Sequence, residues 1–284
     1  MTAAKATING AISIVNAIAT GKGAALGISL KVETTVNVTS GSGIFLESKD
    51  INPSLRLIKK VIEKAVPKRD RERSRIGISL KSEIPTGYGL KSSSAISSVI
   101  SLACAKIFKS RINDQEVLRI GVDASRESGV SITGAFDDAC ACYFGGFVVT
   151  DNYKKKIIKF ERAPTNLAAV IFVPKSRKRG NVRKLKTLSR VFSEAWYLAK
   201  RSNYWHGMIL NGLATSTILR SDPQIIADLI EKGALGASVS GNGPAIAAVV
   251  KKKSVSNVKK AFLSLEGKIL VSSINNRKAE VHEV

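Results

Sequence analysis

The stretch P-T-G-Y-G-L-K-S-S-S-A, residues 85–95, decides how the chain is organised. Just before it, residues 76–80 alternate between apolar and small or polar side chains, which is the two-residue period of a half-buried strand. Pro85 cannot donate to a strand ladder, so the strand is expected to end there. From Ala95 onward, apolar residues recur at helical spacing. The stretch therefore predicts a glycine-rich turn between a strand and a helix.

The residues of this turn favour an anion, typically a phosphate. Gly87 and Gly89 allow sharp backbone turns and close approach to a ligand. The serines of residues 92–94 are predicted to cap the helix, whose free N–H groups and positive dipole end attract negative charge. Lys91 adds a positive charge. The turn matches neither the Walker A pattern nor G-x-G-x-x-G, since Ser92 stands where the latter needs its third glycine.

A second stretch, T-G-A-F-D-D-A-C-A-C-Y-F-G-G at residues 133–146, contains two adjacent acids. Asp137 and Asp138 lie in an otherwise uncharged segment from residue 130 to residue 149. Carboxylates at a helix N-terminus are common and mildly stabilising, but burying them among apolar residues is costly. We therefore interpret the two acids as functional. A third stretch, G-A-S-V-S-G-N-G-P at residues 236–244, is again rich in glycine.

These three stretches, in this order, resemble the motifs of the GHMP kinases, which phosphorylate small-molecule hydroxyls with ATP. The resemblance implies a two-lobed α+β fold, with an N-terminal lobe (residues 1–162) like the second domain of ribosomal protein S5 and a ferredoxin-like C-terminal lobe (residues 163–284). Residues 16–27 (N-A-I-A-T-G-K-G-A-A-L-G) echo the family's N-terminal motif only loosely. Together with the first two stretches, they are similar to the archaeal type of shikimate kinase, which implies the 3-hydroxyl of shikimate as the acceptor.

The resemblance also implies roles for individual residues. One of Asp137 and Asp138 would accept or orient the acceptor's proton, and the choice between them stays open. Magnesium would be bound by Ser92 or Ser93 and by Glu127. Arg126, Arg179 and Arg183 are candidates for holding the acceptor's carboxylate, because a guanidinium can clamp a carboxylate with two bonds. The nucleotide would be bound by the following residues: Pro85, Gly87, Tyr88, Gly89, Leu90, Lys91, Ser92, Ser93, Ser94, Ala95, Gly241 and Gly243.

Composition limits the other possible functions. The chain has 284 residues, a net charge of +23 and a pI near 10.1, so nucleic acid is an obvious partner to consider. The basic residues are scattered over predicted loops, and only 6% of residues are aromatic, which leaves few platforms for stacking bases. We therefore expect no specific nucleic-acid partner. The alternatives are a kinase of the same family acting on homoserine or mevalonate, and an RNA-binding protein built on an S5-like lobe.

Two further features point to a cytoplasmic protein without a structural zinc site. The sequence has no apolar run of membrane-spanning length and no charged leader. Cys140 and Cys142 form a C-x-C with no second pair, which disfavours a structural zinc site and fits three reduced thiols.

Local patterns predict most of the remaining elements. Residues 1–29 are rich in glycine and alanine and are expected to form a loop near a ligand. Strands are expected at residues 30–38 and 44–48, joined as a hairpin by S-G-S-G. A helix should begin at Pro53, a solvated linker should cover residues 66–75, and Asn113 should begin another helix. In the second lobe, residues 167–173 should form a buried strand, and a strand near residues 268–274 should close the chain.

Overall fold

The computed structural model describes residues 2–48, 52–109 and 111–284, which form two lobes built on one β-sheet each. The strands of the first lobe are β1 (Thr2–Val15), β2 (Lys22–Ser40), β3 (Gly43–Ser48), β4 (Ser74–Ser82), β5 (Phe147–Asp151), β6 (Lys156–Glu161) and β11 (Glu280–Glu283). Its helices are α1 (Leu55–Ala65), α2 (Lys68–Arg73), α3 (Ser92–Phe108), α4 (Asp114–Glu127) and α5 (Phe136–Phe144). The second lobe contains β7 (Leu167–Pro174), α6 (Ser189–Lys200), α7 (Tyr204–Leu219), α8 (Gln224–Glu231), β8 (Ala234–Val239), β9 (Ile246–Lys251), α9 (Val255–Lys259) and β10 (Gly267–Ser273).

The first sheet has the strand order β11-β1-β2-β4-β3, and β5 and β6 extend it beside β2. Helix α3 lies against β1 and β2 and is covered by α1, α4 and α5, so apolar residues surround it on every side. The helix is therefore buried along most of its length, its serines included. The predicted strand before Pro85 and the helix after it are thus both confirmed, as β4 and α3.

The prediction of a loop over residues 1–29 is wrong, because β1 and the first half of β2 occupy most of that segment. Their small residues serve close packing in the middle of a sheet. A Cβ placed on Gly27 would lie 2.7 Å from Gly145 Cα, so the glycine admits the end of α5 against the strand. Only residues 16–21, between the two strands, turn back as a loop.

The predicted hairpin of residues 30–48 is also wrong. Strand β4 inserts next to β2 as its antiparallel partner, and β3 pairs with β4 in parallel. Ser40-Gly41-Ser42-Gly43 does reverse the chain, but the partner of β3 arrives some thirty residues later in the sequence. Within the predicted linker, residues 68–73 form the short, largely exposed helix α2.

The second sheet has the order β10-β7-β9-β8, the arrangement of a ferredoxin-like βαββαβ unit. Its core contains the stacked rings of Phe172 and Phe262, with centroids 5.1 Å apart. The proposed boundary between residues 162 and 163 falls in the connection from β6 to β7, where the chain passes from the first sheet to the second. After β10 the chain returns to the first lobe, where β11 pairs with β1.

The predicted start of α4 at Asn113 is confirmed at its cap, whereas α1 begins at Leu55, two residues after the predicted start at Pro53. Ser54 accepts from the Leu57 N–H ahead of α1, and the Asn113 side chain accepts from the N–H groups of Gln115 and Glu116 ahead of α4. In the ranges described above, the structure has no helix long and apolar enough to cross a membrane.

Candidate active site

The turn from β4 into α3 lies at the junction of the two lobes. Gly87 and Gly89 have φ angles of +84° and +79°, which favour glycine. A Cβ on Gly89 would lie 2.0 Å from the carbonyl oxygen of Ser240, a backbone atom of the second lobe. Glycine is therefore needed at position 89 to let the two lobes meet as well as to admit a ligand.

The start of α3 corrects one prediction. The serines of residues 92–94 do not cap the helix but form its first turn, and Lys91 occupies the cap position with a left-handed φ of +67°. No side chain caps this end of the helix. The N–H groups of the first turn are consequently left for a ligand, and the helix dipole favours a negatively charged one.

A second glycine loop, residues 240–244, completes the rim of the site. The Gly241 N–H donates to Ser13 Oγ at 2.9 Å, and Ser240 Oγ donates to the Gly89 carbonyl at 3.0 Å. Asn16 Nδ2 donates to the Gly241 carbonyl at 2.7 Å. Strand β1, the phosphate loop (residues 85–95) and the loop of residues 240–244 are thus held together by hydrogen bonds between side chains and backbone.

Asp138 forms an ion pair with Lys91 at the floor of the site. Lys91 Nζ lies 2.8 Å from Asp138 Oδ1 and donates to Ser13 Oγ at 2.6 Å. The side chains of Lys91 and Asp138 are 4% and 14% exposed. Oδ1 is itself a buried atom, and in the described part of the chain it is paired with the Lys91 ammonium group. Asp138 also lines the cleft and its side chain is partly exposed, so a ligand in the cleft can approach the rest of the side chain.

Asp137 has different surroundings. Asn152 Nδ2 donates to Asp137 Oδ1 at 2.7 Å, and Asn152 Oδ1 accepts from the Asp137 N–H at 3.1 Å. The other carboxylate oxygen packs against β2, where a Cβ on Gly23 would lie 2.2 Å from Oδ2. Burial, followed by the negative charge of Asp138, raises the pKa of Asp137 to about 7, against the opposing effects of Lys91 and Asn152.

The cleft around these groups has a cavity volume of about 210 Å³ and is open to solvent. It brings together the loops and the acids that the sequence singled out. The predicted residues that line it are Gly87, Gly89, Lys91, Ser92, Ser93, Ser94, Asp137, Asp138, Arg179 and Gly241.

Several predicted residues do not line the cleft. Leu90 and Ala95 are buried in the core of the first lobe, and they support the phosphate loop from below. Tyr88 faces Arg177, whose guanidinium carbon lies 5.1 Å from the centre of the ring. Gly243 accepts a hydrogen bond from Arg179 Nη1 at 2.9 Å through its carbonyl oxygen. Pro85, where the strand was predicted to end, is also outside the lining.

The structure does not bring Glu127 into the cleft. Its carboxylate pairs with Lys64 Nζ at 2.6 Å, and its side chain is 48% exposed. Consecutive residues of a helix point about 100° apart, so α4 turns Ser125 toward the cleft and Glu127 toward α1 and solvent. Arg126 and Arg183 are likewise exposed and outside the cleft, which leaves Arg179 as the one predicted arginine at the site.

Magnesium can be tested against the remaining oxygen atoms. Within the described ranges, no three His, Cys, Asp or Glu side chains are grouped so as to hold a metal ion. The hydroxyls of Ser92 and Ser93 line the cleft that also contains Asp138. Magnesium commonly keeps water and substrate phosphates as most of its ligands and takes only one or two from the protein. The residues therefore fit a magnesium ion carried in with a nucleotide, and they do not fit a cage built by the protein alone.

Sequence reasoning missed several residues of the site. Ser13, Asn16 and Asn152 are buried polar residues to which the sequence assigned no role, although Ser13 and Asn16 fall in the segment expected near a ligand. The partners of Ser13 and Asn16, Lys91 and Asn211, come from distant parts of the chain. The wall of residues 130–133 was also missed. Ser125 is 2% exposed, lines the cleft, and has no partner for its hydroxyl in the described structure. A buried, unpaired hydroxyl facing a cleft is free to bind a ligand.

Comparison with known proteins gives matches in both lobes. The models "GHMP kinases N terminal domain" and "GHMP kinases C terminal" match residues 56–146 and 205–268. A shikimate kinase of Methanothrix thermoacetophila is 37% identical over 279 residues, covering 97% of this chain and 95% of the relative. A shikimate kinase of Pyrococcus furiosus is 37% identical over 246 residues, covering 84% of this chain and 88% of the relative.

Solved structures match the fold. A homoserine kinase from Cytophaga hutchinsonii has a TM-score of 0.74 at 17% identity, covering 99% of this chain and 97% of the other. The mevalonate kinase of Methanococcus jannaschii has a TM-score of 0.75 at 15% identity, covering 96% and 98%. At these identities the likeness concerns the fold alone, and it confirms the predicted two-lobed α+β architecture.

Proposed function

The chain belongs to the GHMP kinase family, and from this premise we propose that it transfers the terminal phosphoryl group of ATP to the 3-hydroxyl of shikimate, releasing ADP. The observation that carries the acceptor's identity is the 37% identity to a shikimate kinase over 97% of this chain. That match extends through both lobes, so it covers the residues between the three motif stretches as well as the stretches themselves. Homoserine and mevalonate kinases share the fold at only 15–17% identity.

We propose that the backbone of the phosphate loop binds the nucleotide's phosphates. The uncapped N–H groups of residues 92–94 and the dipole of α3, a helix of 17 residues, supply positive potential at one end of the cleft. Gly87 and Gly89 keep side chains away from that position. Phosphoryl transfer depends mainly on positioning and charge neutralisation, which is what backbone N–H groups and a lysine provide.

Asp138 is our choice for the group that meets the acceptor hydroxyl. Asp138 lines the cleft with a partly exposed side chain, and among the described residues its one ionic partner is Lys91, so an acceptor in the cleft can approach the carboxylate. Lys91 holds the carboxylate in position through the ion pair. Geometry takes precedence over pKa in selecting a base, and both oxygens of Asp137 already have neighbours in Asn152 and Gly23.

Lys91 has a second role in this proposal. It belongs to the phosphate loop by sequence and reaches Asp138 by its side chain, so it links the group that binds phosphate to the group that binds the hydroxyl. A fixed charge at this point would stabilise the negative charge that is shared between the two substrates during transfer. Ser13 holds the ammonium group from the opposite side.

Magnesium, when bound with ATP, would neutralise charge on the phosphate oxygens. Ser92 and Ser93 are the residues of this chain that we propose as its protein ligands. Arg179 is proposed for the acceptor's carboxylate, because it lines the cleft from a loop of the second lobe. One of its nitrogens is bonded to the Gly243 carbonyl, which fixes the guanidinium and leaves its other donors free.

The direct experiment is to measure ADP release with shikimate, homoserine, mevalonate and galactose as separate acceptors. We expect shikimate to exceed the others in kcat/KM by at least about a hundredfold, because a site that pairs with several hydroxyls and a carboxylate rejects molecules that leave those groups unpaired. Preference for any other acceptor would overturn the assignment of shikimate and leave the kinase assignment intact. No ADP from any acceptor would overturn both.

A further inference from the structure

A second cavity lies on the other side of α5, between α4 and the turn that joins β5 to β6. It has a cavity volume of about 350 Å³ and is open to solvent. Its floor is apolar and partly aromatic, formed by Leu118, Phe136, Phe144 and Ile157. Leu118 and Phe136 are 1% and 6% exposed, so the floor is part of the core and not a loose surface patch.

The mouth of this cavity is positively charged. Arg119, Lys155 and Lys156 line it, and no acidic residue is among the lining residues of the described chain. Lys155 is neutralised by Asp123, whose Oδ1 lies 2.5 Å from its Nζ. Arg119 and Lys156 are exposed and form no ion pair within the described ranges. Two unpaired cations above an aromatic floor suit a ligand with a flat apolar body and one anionic group.

The cavity adjoins the structures that hold the acids of the cleft. Phe136 precedes Asp137 in α5, so a ligand on this floor would contact the helix that carries both carboxylates. The turn between β5 and β6 also connects the cavity to Asp137. The Lys155 N–H donates to the Asn152 carbonyl at 3.2 Å, and the Asn152 side chain donates to Asp137. The floor of the cavity is therefore one residue from Asp137 along the chain, and its mouth is connected to Asn152 by one hydrogen bond.

We propose that this cavity is a regulatory site for a small aromatic carboxylate, whose ring packs on Phe136 and Phe144 and whose carboxylate pairs with Arg119 and Lys156. A bound ligand alters turnover by shifting α5 and the turn that contains Asn152. The binding half of the proposal is independent of the proposed function, and only the effect on turnover rests on it.

The binding test uses two probes, 3-phenylpropionate and its neutral analogue 3-phenylpropionamide, titrated by ligand-observed NMR and calorimetry. The parent protein should bind the acid about tenfold more tightly than the amide, as two exposed ion pairs allow. In the double variant Arg119→Gln/Lys156→Gln this ratio should fall to about one, while the amide affinity stays unchanged. Lys154→Gln is the matched control, because Lys154 is an exposed lysine of the same turn that does not line the cavity.

Each result decides the proposal. A ratio that survives the double variant, or that falls equally in Lys154→Gln, would show that these cations do not recognise the carboxylate. Absence of saturable binding of either probe would remove the site altogether. If binding is established, saturating 3-phenylpropionate should change kcat by about twofold or more in the parent and not in the double variant. Unchanged kcat at proven saturation would overturn the regulatory half, and the rate without the probe reports separately on the kinase activity.

Discussion

Asp137 and Asp138 are neighbours in the sequence, yet the structure surrounds one with neutral partners and the other with a cation. Asp137 meets the amide of Asn152 and the backbone of β2, whereas Asp138 meets the ammonium group of Lys91. The helix causes the difference, since consecutive side chains point about 100° apart. Two carboxylates that the sequence does not distinguish therefore have different electrostatic environments in the structure.

This difference teaches how one site can hold two acids. If both were charged without partners, their repulsion in a buried place would be costly. Lys91 pairs with Asp138, whereas burial and the negative charge of Asp138 raise the pKa of Asp137 to about 7. Active sites commonly give two nearby acids different roles by placing them in different environments. We infer that Asp138 acts in phosphoryl transfer and that holding Asp137 in its buried position lowers the stability of the fold.

The largest expected effect is on turnover. Asp138→Asn should lower kcat by roughly 10²–10⁴-fold, the usual range for losing a group that positions or accepts a proton. Asp137→Asn should lower kcat by less than about tenfold, because the new amide can still accept from Asn152. Steady-state ADP release measures both, and ATP affinity by calorimetry verifies that the site is intact. A larger loss in Asp137→Asn than in Asp138→Asn would reverse the assignment.

The next effect is on stability. Lys91→Met should leave Asp138 without its counter-ion, and breaking a buried ion pair from one side costs about 3–5 kcal/mol. The double variant Lys91→Met/Asp138→Asn should regain most of that loss, because it removes both charges. Urea unfolding of the four proteins of this cycle measures the interaction. If the losses of the two single variants simply add in the double variant, the ion pair has no special contribution.

A third effect is the pH dependence of Asp137. Its pKa lies near 3.8 in an unfolded chain and about 7 in the fold. Between these values the folded protein holds a proton that the unfolded chain releases, so the contribution of Asp137 to stability falls as pH rises. The full penalty is at most about 4 kcal/mol. Asp137→Asn should therefore become increasingly more stable than the parent from about pH 4 to pH 7, with a constant gain above that.

Thermal unfolding of both proteins across this pH range provides the measurement, since groups other than Asp137 cancel in the difference. Asn152→Ala is an informative control, because it removes a hydrogen bond that lowers the pKa of Asp137 and should enlarge the penalty above pH 7. A stability difference that does not vary with pH would mean that Asp137 titrates in the fold much as it does in the unfolded chain.

The sequence could predict what local chemistry determines. The phosphate loop is recognisable because a strand, two glycines and a helix follow within one short stretch, and the two acids stand out because their neighbours are uncharged. It could not separate Asp137 from Asp138, because their partners come from elsewhere: Lys91 precedes Asp138 by almost fifty residues and Asn152 follows Asp137 by fifteen. A local pattern contains no information on such pairings.

The errors in the fold have a similar origin. Glycines and alanines of β1 and β2 resemble a flexible loop in the sequence, but here they are small because helices and loops pack closely on both strands. The short interval between β2 and β3 predicted a hairpin, but β4 is inserted between them from later in the chain. Pairings of this kind depend on distant segments, which propensity and turn chemistry do not detect.

The smallest expected effect concerns Glu127, the third acid that the sequence singled out. Its carboxylate is half-exposed and pairs with Lys64, so Glu127→Gln should change the magnesium concentration needed for half-maximal activity by less than about twofold, in keeping with the small energies of exposed ion pairs. Lys64→Gln is the matched control, since it breaks the same pair and leaves the carboxylate. If Glu127→Gln alone raised the magnesium requirement tenfold or more, its carboxylate would have to leave Lys64 and swing toward the nucleotide when ATP binds. Glu127 would then be a third acid whose position depends on a lysine. Lys64 would pair with it until ATP binds, whereas Lys91 pairs with Asp138 inside the cleft.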